Sequence, residues 1–297
     1  MFPEGQLAFF SRCRNLTTLV WSRPNGGIPT SNLAHCLERE LWPHLEDLNV
    51  YGIAASDEVM ATVIRHLPPL KRLSLGSGSF GPLSLQHLRE RLFGSLKTLA
   101  LSGCDNFTSP MVLEVLSNCQ QLEEFMAPIV SIKDLRTIPQ PWVCRGLRCL
   151  EVVFINDEDD SDDTGNDEPD AAGGDSSGGV SKSFSWVVFE HLSTLHRLEV
   201  LNISPTNIWF RTDPRTNKLK GPQFRLDVGL GQLATLTRLK ELSLDNTKQD
   251  LRREDVEWML EQWLMLEKLT GALSTNSDID EVLGALVERR RDGRREY

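Results

Sequence analysis

Apolar residues return along this chain in a fixed frame. Leu96, Leu99 and Leu101 open one stretch, which runs on through Cys104, Phe107, Leu113, Leu116 and Cys119 until Leu122 opens the next. The alternation at Leu99 and Leu101 predicts a short strand with one buried side, and the wider spacing that follows predicts a loop and a helix. The same opening recurs at Leu16, Leu45, Leu70, Leu96, Leu122, Leu147, Leu198, Leu239 and Leu266, with steps of 29, 25, 26, 26, 25, 51, 41 and 27 residues. Positions three and five residues after each start are also apolar, from Leu19 and Trp21 to Leu242 and Leu244. The ninth start departs, with Leu269 but then Gly271, and is expected to belong to a terminal cap. A unit of this kind cannot bury its own apolar side, so its neighbours must complete the core.

A Leu-x-x-Leu-x-Leu frame with these steps is that of leucine-rich repeats, whose periods run from roughly 20 to 29 residues. The expected fold is an α/β leucine-rich-repeat solenoid, a horseshoe with parallel strands on the concave side and helices outside. Cys104, the pair Phe107-Thr108, and Leu113, Leu116 and Cys119 before Leu122 resemble the cysteine-containing, ribonuclease-inhibitor-like repeats of F-box leucine-rich-repeat proteins. The match is looser elsewhere: Cys36 and Cys144 sit near expected helix ends and Cys13 before the first strand, while the third and eighth repeats carry no cysteine. The resemblance implies the substrate-recognition part of an SCF-type ubiquitin-ligase receptor. It also implies a helical module that docks on the ligase adaptor, and nothing in this sequence resembles one. Phe9 and Phe10 read as the end of a preceding repeat helix, so the chain is expected to begin inside an array.

Two steps exceed the period, and both are explained by insertions in a single domain spanning 1–297. The first, 156–183, carries ten acids between Asp157 and Asp175 with no base between them. Without that block the 42 acids and 32 bases of the chain come into balance, so the scaffold itself is near neutral. A tract of Asp, Gly and Ser has too little apolar area to offset its ordering entropy and is expected to be disordered. The second insertion, 204–223, is basic and aromatic, and an apolar-periodic helix through Leu226, Leu230, Leu233 and Leu236 is expected after it. Both insertions leave the carboxyl ends of adjacent strands and should share one rim. Three readings stay open: a tolerated insertion, mutual attraction of the two loops, and partner contact through Trp209, Phe210 and Arg211.

Strand alternation places the residues two, four and six after each start on the concave face. Candidate partner-binding residues there are Asp47, Asn49, Tyr51, Arg72, Glu124, Met126, Glu151, Asn202, Glu241 and Asp245. This row is mixed, mildly acidic and short of aromatics. It suits a protein target and not a nucleic acid.

Catalytic motifs give one false match. Gly76-Ser-Gly78-Ser-Phe-Gly81 fits G-x-G-x-x-G after a strand, but the period assigns it to the strand-to-helix loop of the third repeat. No phosphate-loop, zinc-protease or nucleophile-elbow motif is present, and the six histidines are scattered singly. The chain is therefore expected to be no enzyme, with no cofactor and no metal. The six cysteines lack the paired spacing of a secreted scaffold and are expected to be reduced. With no signal-like start and no long apolar run, a monomer in the cytoplasm, the nucleus or both is expected, away from membranes. A closing helix around Val282, Leu283, Leu286 and Val287 ends in Arg289, Arg290, Arg291, Arg294 and Arg295. Those cations suit a helix carboxyl end or a nuclear-import signal.

Overall fold

In the computed structural model the described residues are 12–22, 30–52, 55–76, 78–137, 141–157, 183–204, 221–245, 247–271 and 273. The opening segment with Phe9 and Phe10, most of the acidic insertion, the loop with Trp209, Phe210 and Arg211, and the closing basic helix lie outside them.

Each repeat start is followed two residues later by a strand. These are β1 (Thr18–Ser22), β2 (Asp47–Tyr51), β3 (Arg72–Leu75), β4 (Thr98–Ala100), β5 (Glu124–Ser131), β6 (Cys149–Ile155), β7 (Val200–Asn202), β8 (Glu241–Ser243) and β9 (Lys268–Thr270). They form one nine-stranded sheet in chain order, and every neighbouring pair is parallel. The register follows the frame: Thr18, Asp47, Arg72, Thr98, Glu124, Cys149, Val200, Glu241 and Lys268 form one row, and Leu19 through Leu269 form the next.

A backbone ladder locks this register at the amino ends of the strands. The Thr17 carbonyl accepts from the amides of Glu46 at 2.8 Å and Asp47 at 3.0 Å, and the Glu46 carbonyl accepts likewise from Lys71 and Arg72. The pattern continues to Lys240, which accepts from Glu267 at 2.7 Å and Lys268 at 3.0 Å.

Helices supply the other layer: α1 (Thr30–Glu38), α2 (Asp57–Arg65), α3 (Pro82–Arg91), α4 (Ser109–Asn118), α5 (Ile132–Thr137), α6 (Phe184–Leu192) and α7 (Arg253–Gln262). Between strands and helices the start, third and fifth frame positions form a continuous core, with Leu70, Leu73, Leu96, Leu99, Leu101, Leu122 and Phe125 all fully buried. Trp42, Trp142 and Trp263 fill the loops that return to the strands, and Trp263 Nε1 donates to the Leu233 carbonyl at 3.0 Å.

Two expectations need correction. The helix expected through Leu226 to Leu236 is two 3-10 turns, Leu226–Val228 and Leu230–Thr235. Gly229 between them has φ 108°, which breaks the helical path, and Leu226 stays exposed. Pro128 does not point outward. One extra residue on β5 bulges between Met126 and Ile129, where Pro128 has no amide to give a ladder; Pro128 is buried and Ile129 takes the outward place. The ninth frame extends the sheet as β9 in the common register. Gly271, with φ 131°, passes so close to β8 that a Cβ would lie 2.7 Å from the Leu244 backbone, and Leu273 is the buried residue instead.

The acidic insertion is anchored at both ends. Asp157 accepts from Ser131 Oγ at 2.6 Å and from the Lys133 amide at 3.3 Å, and Ser183 caps α6 by accepting from the Trp186 amide at 3.2 Å. Of this insertion, 158–182 lie outside the described residues.

Candidate protein-binding surface

Among the described residues the helices cover one side of the sheet, and the other carries side chains from the strands. Asp47, Asn49 and Tyr51 lie on β2, Arg72 on β3, Glu124 and Met126 on β5, Glu151 on β6, Asn202 on β7, Glu241 on β8, and Asp245 just after β8. Tyr51, Arg72 and Glu124 are exposed and the other seven half-buried. Val20, 64% exposed on β1, belongs to the same face.

The fold gathers these residues into two groups. On β2 and β3, Asp47 stands opposite Arg72, and their side chains form an ion pair while Thr18 Oγ1 also donates to Asp47 at 3.2 Å. Arg72, a candidate partner-binding residue, is thus tied to its neighbour. The Tyr51 ring lies over Gly76, where a Cβ would collide with it. Asn49, beside them, has its Oδ1 shielded from solvent and, among the described residues, without a hydrogen-bond partner.

The second group runs from β5 to β8. Glu124, Cys149, Val200 and Glu241 share one row, and Met126, Glu151, Asn202 and Ser243 the next. Thr98 Oγ1 donates to Glu124 at 3.2 Å, and Lys268 lies 3.4 Å from Glu241. Burial raises the Cys149 thiol pKa to about 11, and the carboxylates of Glu124, Glu151 and Glu241 add to the rise. Asp245 is bound inward, accepting from Ser243 Oγ and Thr270 Oγ1 at 2.9 Å each. Asn202 likewise accepts from the Ser204 amide at 3.0 Å, which leaves Ser204 buried although its frame position faces outward.

A charged row escaped the sequence reading. One residue after the second to eighth starts stand Glu46, Lys71, Lys97, Glu123, Arg148, Glu199 and Lys240. Lys71 pairs with Glu46 and Lys97 with Glu123, each at 2.7 Å, while Glu199 binds both Arg148 at 2.8 Å and Lys240 at 2.7 Å. The hydrogen bonds from Arg148 and Lys240, with their positive charges, pull the Glu199 carboxyl down from its ordinary value of 4.5 to about 2. The column becomes visible only when the repeats are superposed at that one position.

The cysteine-type position also acquires a role. Cys104 Sγ donates to the Leu75 carbonyl of the preceding repeat at 3.4 Å, and Thr247, eight residues after its own start as Cys104 is, bonds the Leu244 carbonyl at 2.6 Å. Burial lifts the thiols of Cys104 and Cys144 to about 12 each. Among the described residues all cysteines are free thiols, and no cluster of His, Cys, Asp and Glu could hold a metal ion. Nor is any described helix long and apolar enough to cross a membrane.

Strand order, common register and one-sided helices define an α/β leucine-rich-repeat solenoid. No family model matches the chain, and no curated protein matches it. Among solved structures it is similar to a leucine-rich-repeat protein of Leptospira interrogans, at 14% identity and a TM-score of 0.37, over 84% of this chain and 64% of that one. The chain therefore spans somewhat less than two thirds of that neighbour's length.

Proposed function

We propose that the chain is a protein-binding scaffold whose sheet face opposite the described helices receives a target protein, and that it serves as the substrate-recognition part of an F-box-type ubiquitin-ligase receptor. The open face carries the first half of this reading: neighbouring strands present Tyr51, Arg72, Glu124 and Met126 in fixed rows, over a core that holds them in place. Such a surface recognises by shape and charge, and no bond needs to be made or broken. The second half rests on the resemblance of residues 96–122 to the repeats of F-box receptors. The ligase adaptor would be engaged through a module other than these repeats. A second reading, a free-standing acidic scaffold that binds histones, is favoured by the ten acids between Asp157 and Asp175.

The test is site-specific photo-crosslinking in cells, with the crosslinker at Met126 on the sheet face or at Arg89 on α3, followed by mass spectrometry. A target captured through Met126 and not through Arg89 is the expected result. Equal capture at both positions would remove the sheet face from consideration. Histones lost on neutralising the acidic tract would favour the second reading.

A further inference from the structure

We propose that the turns at the amino ends of β6 to β9 form a second interaction surface, which takes an acidic protein segment carrying an apolar residue beside its carboxylates. This surface is separate from the sheet face and does not depend on the function given to that face.

The shape of the rim is the first argument. The same hydrogen-bonded turn precedes four successive strands: the Leu147 amide donates to the Cys144 carbonyl at 3.0 Å, Leu198 to Leu195 at 2.9 Å, Leu239 to Leu236 at 3.1 Å and Leu266 to Trp263 at 2.9 Å. The two central residues of such a turn stand at its tip. Here they are Arg145-Gly146, His196-Arg197, Thr237-Arg238 and Leu264-Met265. Strand register stacks the four tips side by side. Three adjacent tips each present an exposed arginine, and the fourth presents Leu264 and Met265, 76% and 47% exposed.

Charge is the second. Among the described residues the side chains of Arg145, Arg197 and Arg238 form no ion pair. The stretches 144–148, 195–199 and 236–240 hold five lysines and arginines and one carboxylate. That carboxylate, Glu199, is already shared by Arg148 at 2.8 Å and Lys240 at 2.7 Å. Arg197 and Arg238 occupy the same turn position one strand apart, about 5 Å at the usual separation, so they repel each other until an anion stands between them. In the row of Arg148 and Lys240, Glu123 comes before and Glu267 after, which confines the basic field to three repeats. A nucleic acid or a membrane would overrun it and meet those carboxylates, whereas a short protein segment fits.

Spacing is the third. From the tip with Arg145 to the tip with Met265 is three strand separations, about 14 Å, and an extended segment covers about 13 Å between residues i and i+4 while turning i, i+2 and i+4 to one side. Carboxylates at i and i+2 then lie between Arg145 and Arg197 and between Arg197 and Arg238, and an apolar side chain at i+4 meets Leu264 and Met265. Three guanidinium groups on separate turns suit separate carboxylates more than one phosphate. The chain's own acidic insertion is anchored elsewhere: Asp157 follows the carboxyl end of β6 and Ser183 caps α6, on the rim opposite these turns.

Fluorescence anisotropy of the full chain at low ionic strength tests this with a labelled seven-residue peptide that has Glu at its second and fourth positions, Leu at its sixth and Ser elsewhere. The expected result is saturable binding that weakens about three- to tenfold in the double variant Arg197→Gln, Arg238→Gln, as the loss of two exposed ion pairs implies. Leu264→Ser should weaken it as well. No saturable binding, or unchanged affinity in the double variant, would overturn the proposal. Because a variant can misfold, the charge-reversed variant Arg197→Glu, Arg238→Glu is measured with a peptide that has Lys in place of Glu. It should bind that peptide more tightly than the unaltered chain does, a gain that lost folding does not explain, and no gain would overturn the proposal. Neutralising the acids between Glu158 and Asp175 should change the affinity for the Glu peptide by less than about twofold. A larger rise would assign the rim to that tract and overturn the proposal. Binding of the Glu peptide at the rim, combined with no target capture through Met126 in cells, would refute the sheet-face reading and leave this inference standing.

Discussion

The Asp57 carboxylate lies 2.7 Å from the amide of Gly81, one repeat further on. It also accepts from the amides of Leu83 at 3.0 Å and Ser84 at 3.1 Å, so the amino end of α3 is capped by a side chain from α2. This contact explains why Gly76-Ser-Gly78-Ser-Phe-Gly81 matches a dinucleotide-binding fingerprint without its context. In that fingerprint the helix amides meet a phosphate, whereas here they meet the protein's own carboxylate. Gly81 is small for the same reason: a Cβ there would lie 2.5 Å from Asp57 Oδ2. Burial pushes the Asp57 carboxyl upward, but the bonds from Ser84, Gly81 and Leu83 outweigh it and hold the pKa below its ordinary value.

Asp57→Ala should therefore destabilise the fold by about 1–2 kcal/mol, the upper part of the range for a lost helix cap. Urea denaturation measures this. Asp57→Asn should cost less, because its amide oxygen still accepts one bond. A neutral result for Asp57→Ala would mean that water replaces the carboxylate without loss.

Leu99→Ala should cost about 2–5 kcal/mol, since the side chain is fully buried between Leu73 and Phe125. Thr98→Ala, one residue earlier on the open face, should stay within about 0.5 kcal/mol even though Thr98 bonds Glu124. A one-residue slip exchanges the two faces of a strand, so equal costs for the two variants in denaturant titration would refute the register.

That register was legible because the repeat supplies many independent readings of the same frame; one aberrant unit, such as the ninth, does not disturb it. The departures came from residues that change the backbone path: counting by twos ran through Pro128, and counting by three or four ran through Gly229. The candidate site was legible as rows and illegible as contacts. Asp47 and Arg72 are separated by 25 residues in sequence, and only the strand pairing shows that they satisfy each other. The paired column from Glu46 to Lys240 was missed for the same reason, because each charge finds its partner one repeat away.

Replacing 158–182 by a short Gly-Ser linker should shift the melting temperature little, because Asp157 and Ser183 remain as the anchors at either side. Ser183→Ala alone should cost about 1 kcal/mol, the usual worth of a Ser cap. Circular dichroism melts compare the two. If the linker variant is the less stable, the tract contributes contacts of its own to the fold.

Acid sensitivity should converge on Glu199, which two cations hold at once. Its pKa in the folded chain, about 2, is depressed from an ordinary value of 4.5. The unfolded chain therefore binds the proton more readily, and stability rises with pH wherever it does so. The contribution is complete above about pH 4.5 and is lost as the pH falls towards 2. Glu199→Gln keeps the oxygen acceptor and removes the charge, so this variant should be less stable than the unaltered chain at pH 7. The difference should shrink steadily below about pH 4.5. Salt should narrow the gap at neutral pH as well, because Arg148 and Lys240 are partly exposed partners and screening weakens them. Guanidinium chloride would itself screen the pairs, so urea melts at a series of pH values are the suitable measurement. A gap between the two proteins that stays constant from pH 7 to pH 3 would show that Glu199 acts through packing and not through its charge.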